Sequence, residues 1–165
     1  MKKLWVILAL SLFLAGCGSK QTFETVDDVQ AEPVIAQIKE VHLALPEEAA
    51  VPAMENTDGE KLYLCNGFAL MVQTMDGGDL GRTLRQLTGF EKEQLAVMQT
   101  EQSGVIRYDC VWTTAGEAAD QVCRAAILDD GSYHYAITVM SDFSAAGDLS
   151  ETWRTILDSV SLSTD

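Results

Sequence analysis

The sequence predicts an α+β domain, an antiparallel β-sheet of about 5–7 strands with two main helices packed on it. Three observations carry this expectation. The stretches "KLYLCNGFALMVQTM" and "VIRYDCVWTTAGEAADQVCRAAILDDGSYHYAITVM" alternate and are broken by turn residues, so consecutive strands pair as hairpins. Two other stretches carry apolar residues at helical spacing, Leu80, Leu84, Leu87 and Leu149, Trp153, Ile156, Leu157, Val160. Apolar residues make up 47% of the chain, too many for disorder throughout.

The chain opens on a different signal. Lys2 and Lys3 precede the apolar run Leu4 to Leu14, which is shorter than the roughly 20 residues a spanning helix needs. A basic start, an apolar middle and a small-residue end make a secretory signal. It closes on Leu14-Ala15-Gly16-Cys17, which resembles the lipobox of bacterial lipoproteins at all four positions. The resemblance implies cleavage after residue 16 and a diacylglycerol on the sulfur of Cys17. A thiolate is the side-chain nucleophile suited to that thioether. Residues 1–16 are then a signal peptide and 17–37 a lipidated tether, polar, acidic and without periodicity. Residues 38–163 form the single α+β domain.

Charge narrows the partners. The net charge of −14 becomes more negative once Lys2 and Lys3 are removed, so nucleic acid and anionic headgroups repel the chain. The expected partners are the lipid bilayer, through acylated Cys17, and an envelope or membrane protein. The expected place is the extracytoplasmic face of the cell membrane. Gly18 is not aspartate, so an outer membrane is possible in a cell that has two.

Along the domain, Val41, Leu43 and Leu45 form the apolar side of a strand over Ile38 to Leu45, stopped by Pro46. A loop-like stretch runs through Glu60. Asn66-Gly67 then makes a tight hairpin turn that puts Phe68, Leu70 and Val72 on one face. Asp79 caps the first helix and Gly89 ends it. A strand over Leu95 to Glu101 is followed by the turn Gln102-Ser103-Gly104.

A turn centred on Gly116-Glu117 pairs Cys110 with Cys123, Tyr108 with Ala125, Ile106 with Ile127 and Asp109 with Arg124. A longer loop from Thr114 to Ala119 keeps the same pairing. A three-residue loop Asp129-Asp130-Gly131 pairs Ile127 with Tyr133, Ala125 with Tyr135 and Cys123 with Ile137, whereas a two-residue loop puts these aromatics on the face carrying Arg124; the first is preferred because it gives one continuous apolar face. Asp148 and Glu151 form a capping box for the final helix.

The hairpins, then "YHYAITVM", then the Trp153 helix ending in "ILDSVSL" resemble the PsbP-like superfamily and small lipoproteins of that fold. The resemblance implies an antiparallel sheet with helices against it and an accessory binding role. It transfers no site residues.

Candidate chemistry is sparse. Cys110 and Cys123 are a possible disulfide, with Cys65 competing for either partner in an oxidising compartment. His134 and His42 are the candidate general bases, but no nucleophile motif accompanies either. The "DGGD" of Asp76 to Asp79 reads as a turn and helix cap, without the ligand spacing of a calcium loop. No metal site and no cofactor are expected. Trp112 and His134 are the candidate binding surface, while Tyr133 and Tyr135 line either a cleft or the core. The leading expectation is a non-catalytic binding or adaptor module. The alternatives are an envelope hydrolase assembled around His134, or a small-molecule or cation-binding accessory protein of a transporter.

Overall fold

The computed structural model describes residues 36–102, 104–114 and 120–163. Cys17 and the lipobox lie outside them. The strands are β1 (Val41–His42), β2 (Met54–Glu55), β3 (Lys61–Cys65), β4 (Phe68–Asp76), β5 (Val97–Gln102), β6 (Val105–Thr113), β7 (Gln121–Asp129), β8 (Tyr133–Asp142) and β9 (Ser161–Leu162). The helices are α1 (Leu80–Thr88) and α2 (Phe143–Asp158). Seven strands form one antiparallel sheet in the order β2-β3-β4-β8-β7-β6-β5, and β1 pairs with β9 separately. This is the α+β architecture the sequence predicts.

Hairpins follow where turn chemistry is strong. Asn66-Gly67 joins β3 to β4, with Gly67 at φ 84° and Cys65 opposite Phe68. Helix α1 begins where Asp79 accepts from the amide of Arg82 at 3.2 Å, and Gly89 ends it at φ 77°. Both ends fall where the sequence puts them.

The sheet is buried on both faces at its centre. Helix α2 packs Trp153, Ile156 and Leu157 against Phe68, Leu70, Val72, Ala126, Ile137 and Val139. On the opposite face, Leu84 of α1 packs against Cys110, Trp112, Cys123, Ala125, Ile127 and Ala136. Ala136 and Ile137 are neighbours in β8 and serve different cores. A run buried on both sides does not alternate, which removes the pattern from which register is read.

Two expected registers are therefore corrected. Cys110 faces Ala125 and Cys123 faces Trp112, two residues away from the pairing expected. Asp109 faces Ala126, and its charge partner is Arg107 of the same strand. The expected turn at Gly116-Glu117 lies in 115–119, outside the described residues. A shift of two keeps every side chain on its face, so facial patterning cannot detect it. In the next hairpin Ile127 faces Ala136 and Asp129 faces His134, leaving Gly131-Ser132 as a two-residue loop. Gly131 has φ 90°, as the first position of a type II′ turn requires. The shift is odd here, so Tyr135 lies with Leu128, on the α2 side.

Two element bounds also differ. Helix α2 starts at Phe143, with Asp142 at its N-cap, rather than near Asp148, because β8 runs straight into it. The first strand is only Val41–His42, although Val41, Leu43 and Leu45 do join the α2-side core. The C-terminus of α2 is fixed by Arg107, which donates to the carbonyl of Leu157 at 2.9 Å and grips both Asp109 oxygens at 2.8 Å.

One glycine is set by space. The Gly77 amide donates to the Ser132 carbonyl at 2.9 Å, and a Cβ there would lie 2.7 Å from backbone atoms of Ser132. Gly147, inside α2, has open space around it. Gly77→Ala should lose about 1–3 kcal/mol in urea unfolding, whereas Gly147→Ala should gain about 0.5–1 kcal/mol. Equal effects of one sign would contradict this packing.

Candidate functional site

The tip of the β7–β8 hairpin holds most of the buried polar chemistry, because successive residues there point to opposite faces. Asp129 and His134 face α1. Thr83 of α1 lies 2.6 Å from His134 Nδ1 through its hydroxyl, and Asp129 Oδ2 is 3.5 Å from His134 Nε2. The Asp129 carboxylate also accepts from the Gly131 amide at 2.8 Å. A hydroxyl and an acid thus flank the histidine, the constellation that the hydrolase alternative requires.

Access decides what the array does. Thr83 and His134 are each 1% exposed, and neither lines the clefts described below. A nucleophile must reach a carbonyl carbon, and this hydroxyl is held under its own helix. The array is a staple between α1 and the sheet. It satisfies buried polar groups that would otherwise cost about 1–3 kcal/mol each.

Asp130 faces the other way. Its carboxylate accepts from the amides of Ser132 at 3.0 Å and Tyr133 at 2.9 Å, and from the Tyr135 hydroxyl at 3.2 Å. Lys39 Nζ lies 3.5 Å away, and the Lys39 amide donates to the Tyr135 oxygen at 3.0 Å. Tyr133 donates to the carbonyl of Ala36 at 3.2 Å. Together these contacts fasten residues 36–39 to the hairpin tip. Burial opposes ionisation of Asp130, but the two amides, the Tyr135 hydroxyl and Lys39 outweigh it and hold the carboxyl below its ordinary range.

The other sequence candidates separate. Trp112 is 8% exposed, in the α1-side core at the base of a cleft of about 190 Å³ with Phe90 and Leu95, and His134 is buried beneath α1. Tyr135 is core, as one of its two readings had it, with its hydroxyl in the Asp130 node. Asp79 serves as a helix cap, and no group of potential metal ligands occurs among the described residues. Cys65, Cys110 and Cys123 are free thiols. Cys110 and Cys123 sit diagonally on one face, about 7–8 Å apart by sheet geometry, beyond the span of a disulfide. Burial, reinforced by the charge of Asp109, pushes the Cys110 thiol up to about 11.

Two surface clefts border polar side chains. One, of about 520 Å³, runs between the start of α1 and residues 91–93, lined mainly by Asp79, Arg82, Arg85, Glu91 and Glu93. The other, of about 350 Å³, lies between residues 38–43 and 55–59 over Tyr63, Val72 and Thr74. Neither holds an oriented acid–base pair. The Asp130 node was missed in the sequence because Lys39 and Asp130 are far apart in the chain; the density of Asp, Gly and Tyr at 129–135 was its one local signal.

No family model matches the chain, and no curated protein matches it. Among solved structures it is similar to the solution structure of cyanobacterial PsbP (CyanoP) from Synechocystis sp. PCC 6803. The identity is 12% and the TM-score 0.46, over 77% of this chain and 95% of that one. The likeness extends to the fold only.

Two measurements follow from this chemistry. In the native protein at about pH 8, iodoacetamide should modify half-buried Cys65 well before Cys110 or Cys123; peptide mapping that found equal rates would refute the burial order. Asp130, with a depressed folded pKa, adds stability above its unfolded value of about 3.9 and loses it as pH falls through the lower folded value. Asp130→Asn should thus be less stable than the parent near pH 7, with the gap narrowing towards about pH 2 in urea melts. A gap independent of pH would exclude a contribution from the carboxylate charge.

Proposed function

We propose that the protein is a lipid-anchored extracytoplasmic lipoprotein whose folded part is a non-catalytic binding module for an envelope or membrane protein. The observation that carries this reading is the fastening of residues 36–39 to the β7–β8 tip by Asp130, Tyr133 and Tyr135. Whatever precedes residue 36 leaves the folded part at one defined corner. Joined to a lipid on Cys17 through the expected tether, such a corner keeps the folded part within the tether's reach of a bilayer. That is useful to a module that presents a surface.

The sealed Thr83–His134–Asp129 array weighs in the same direction, because the one hydroxyl–histidine–acid grouping described serves packing. Supporting the anchor itself are the four lipobox positions and the acidity of the chain, which leaves acyl chains as the means of holding a membrane. One chain binds only marginally, and two or more hold stably.

The test is metabolic labelling with an alkyne fatty acid, combined with crosslinking in cells and mass spectrometry. The parent should carry the label and one abundant envelope partner, and Cys17→Ala should lose both. Label persisting in the variant would remove the anchor from Cys17. No partner under several crosslinkers would overturn the binding reading.

A further inference from the structure

The two faces of the sheet are not covered alike. On the α2 side, the helix, the β1–β9 pair and Ala49 extend the core across to Tyr63 on β3. On the α1 side, the core consists of residues from α1, β6, β7 and β8, and α1 is only nine residues long. The register follows one rung across all seven strands on that side, Met54–Leu62–Met71–Thr138–Ala125–Cys110–Val97. Ala125 and Cys110 are under α1. Met54, Leu62 and Met71 belong to neither core, and the same is true of Leu64 and Ala69 on the next rung. Leu64 is 62% and Met54 63% exposed.

Where the covered half meets the open half stands Thr138. Its hydroxyl oxygen is buried and has no hydrogen-bond partner among the described residues. Leu62, Ala69 and Met71 are half-buried beside Met54 and Leu64, and exposed apolar side chains gathered on one face of a folded chain mark an interaction surface. The composition of this face is suited to one, because methionine is unbranched and repacks around different partners.

We propose that the open half of this face, over β2, β3 and β4, binds an amphipathic helix of a partner protein that carries basic residues beside its apolar stripe. The proposal rests on the binding-module reading and says where and what the module binds. Width fits one helix. Strands β2 to β4 span about 10–15 Å, and a helix with its side chains is about 10–12 Å across.

Charge selects the partner. By strand alternation and contacts, the face is edged by Glu60, which accepts from Gln73 at 2.8 Å, and by Asp142, and its strand residues include no lysine or arginine. Lys61 and Arg124 point to the other side by alternation. Of the two cations on α1, Arg85 is already paired with Glu91 at 2.5 Å, and Arg82 lines the cleft shared with Asp79, Glu91 and Glu93. A second copy would bring another chain of net charge −14 against this one, which repulsion opposes. A basic helix gains from the same field, and the i, i+3/i+4, i+7 spacing of its stripe matches a pleated apolar surface.

The test uses the full-length chain in cells, with p-benzoylphenylalanine replacing Met54 or Leu64, and Met98 or Val111 as exposed positions elsewhere. The crosslinked partner peptide is sequenced by mass spectrometry. The expected result is one partner segment from both 54 and 64, basic, with helical apolar spacing, and absent from 98 and 111. Leu64→Glu should reduce capture from position 54 on the order of tenfold, while Val111→Glu should leave it unchanged. Crosslinks from 54 and 64 to another copy of the chain, to phospholipid, to a segment lacking that pattern, or to nothing would each overturn the proposal. Capture of a partner from 98 or 111 alone would also overturn it, yet leave the binding-module reading standing.

Discussion

Everything in this fold depends on burying the β7–β8 hairpin on both faces. Ala125, Ile127 and Ala136 need cover on one side, Ala126, Ile137 and Val139 on the other. One helix cannot serve both, so α1 and α2 must lie on opposite faces of the sheet. The connections oblige: α1 lies between β4 and β5, while α2 leaves β8 without a loop. At about 25 cal/mol per Å² of apolar surface, burial of these strands far exceeds any single polar contact described here. The hairpin therefore sets the position of the polar groups, and the polar groups then make that position specific.

The tip of the hairpin shows this division of labour. Asp129 and Asp130 are chain neighbours, so one must point to each face. The first meets His134 and holds α1 through Thr83, and the second meets Tyr135 and holds residues 36–39. Gly131 supplies the backbone conformation that lets both carboxylates be used within two residues of the turn. Arg107 does the equivalent work on the α2 side, joining β6 to the last turn of that helix. Each node ties a second segment to a strand of the sheet, and only the Asp130 node reaches a cleft, through Lys39.

What the sequence discloses follows the same logic. Helix α1 was legible to its ends because Asp79 and Gly89 act locally, and so was the Asn66-Gly67 turn. Registers around β7 were not. Deriving them assumes one wet face and one dry face, and residues 122–128 and 133–140 put buried apolar side chains on both. The loop of Asp129 to Ser132 can close with two or three residues on turn chemistry alone, and only the second helix layer decides for two. His134 was a candidate base and surface residue on its side-chain chemistry alone. Its burial depends on Thr83, a residue whose helical position carries no sign of a distant partner.

The open half of the α1 face is a place where cover is incomplete, and the sequence explains why it stays so. Gly89 ends α1 after nine residues, and the chain then turns back through Lys92–Gln94 to the far edge strand β5. Nothing among the described residues returns over β3 and β4. Replacing Leu62, Leu64 and Met71 with polar residues would leave the central core intact, since none of them belongs to it. Apolar side chains that a fold can do without, set on a stiff sheet and edged by acids, are better accounted for by a partner than by packing. The same stiffness lowers the entropy of ordering on binding, because β3 and β4 are already fixed by the strand pairs behind them.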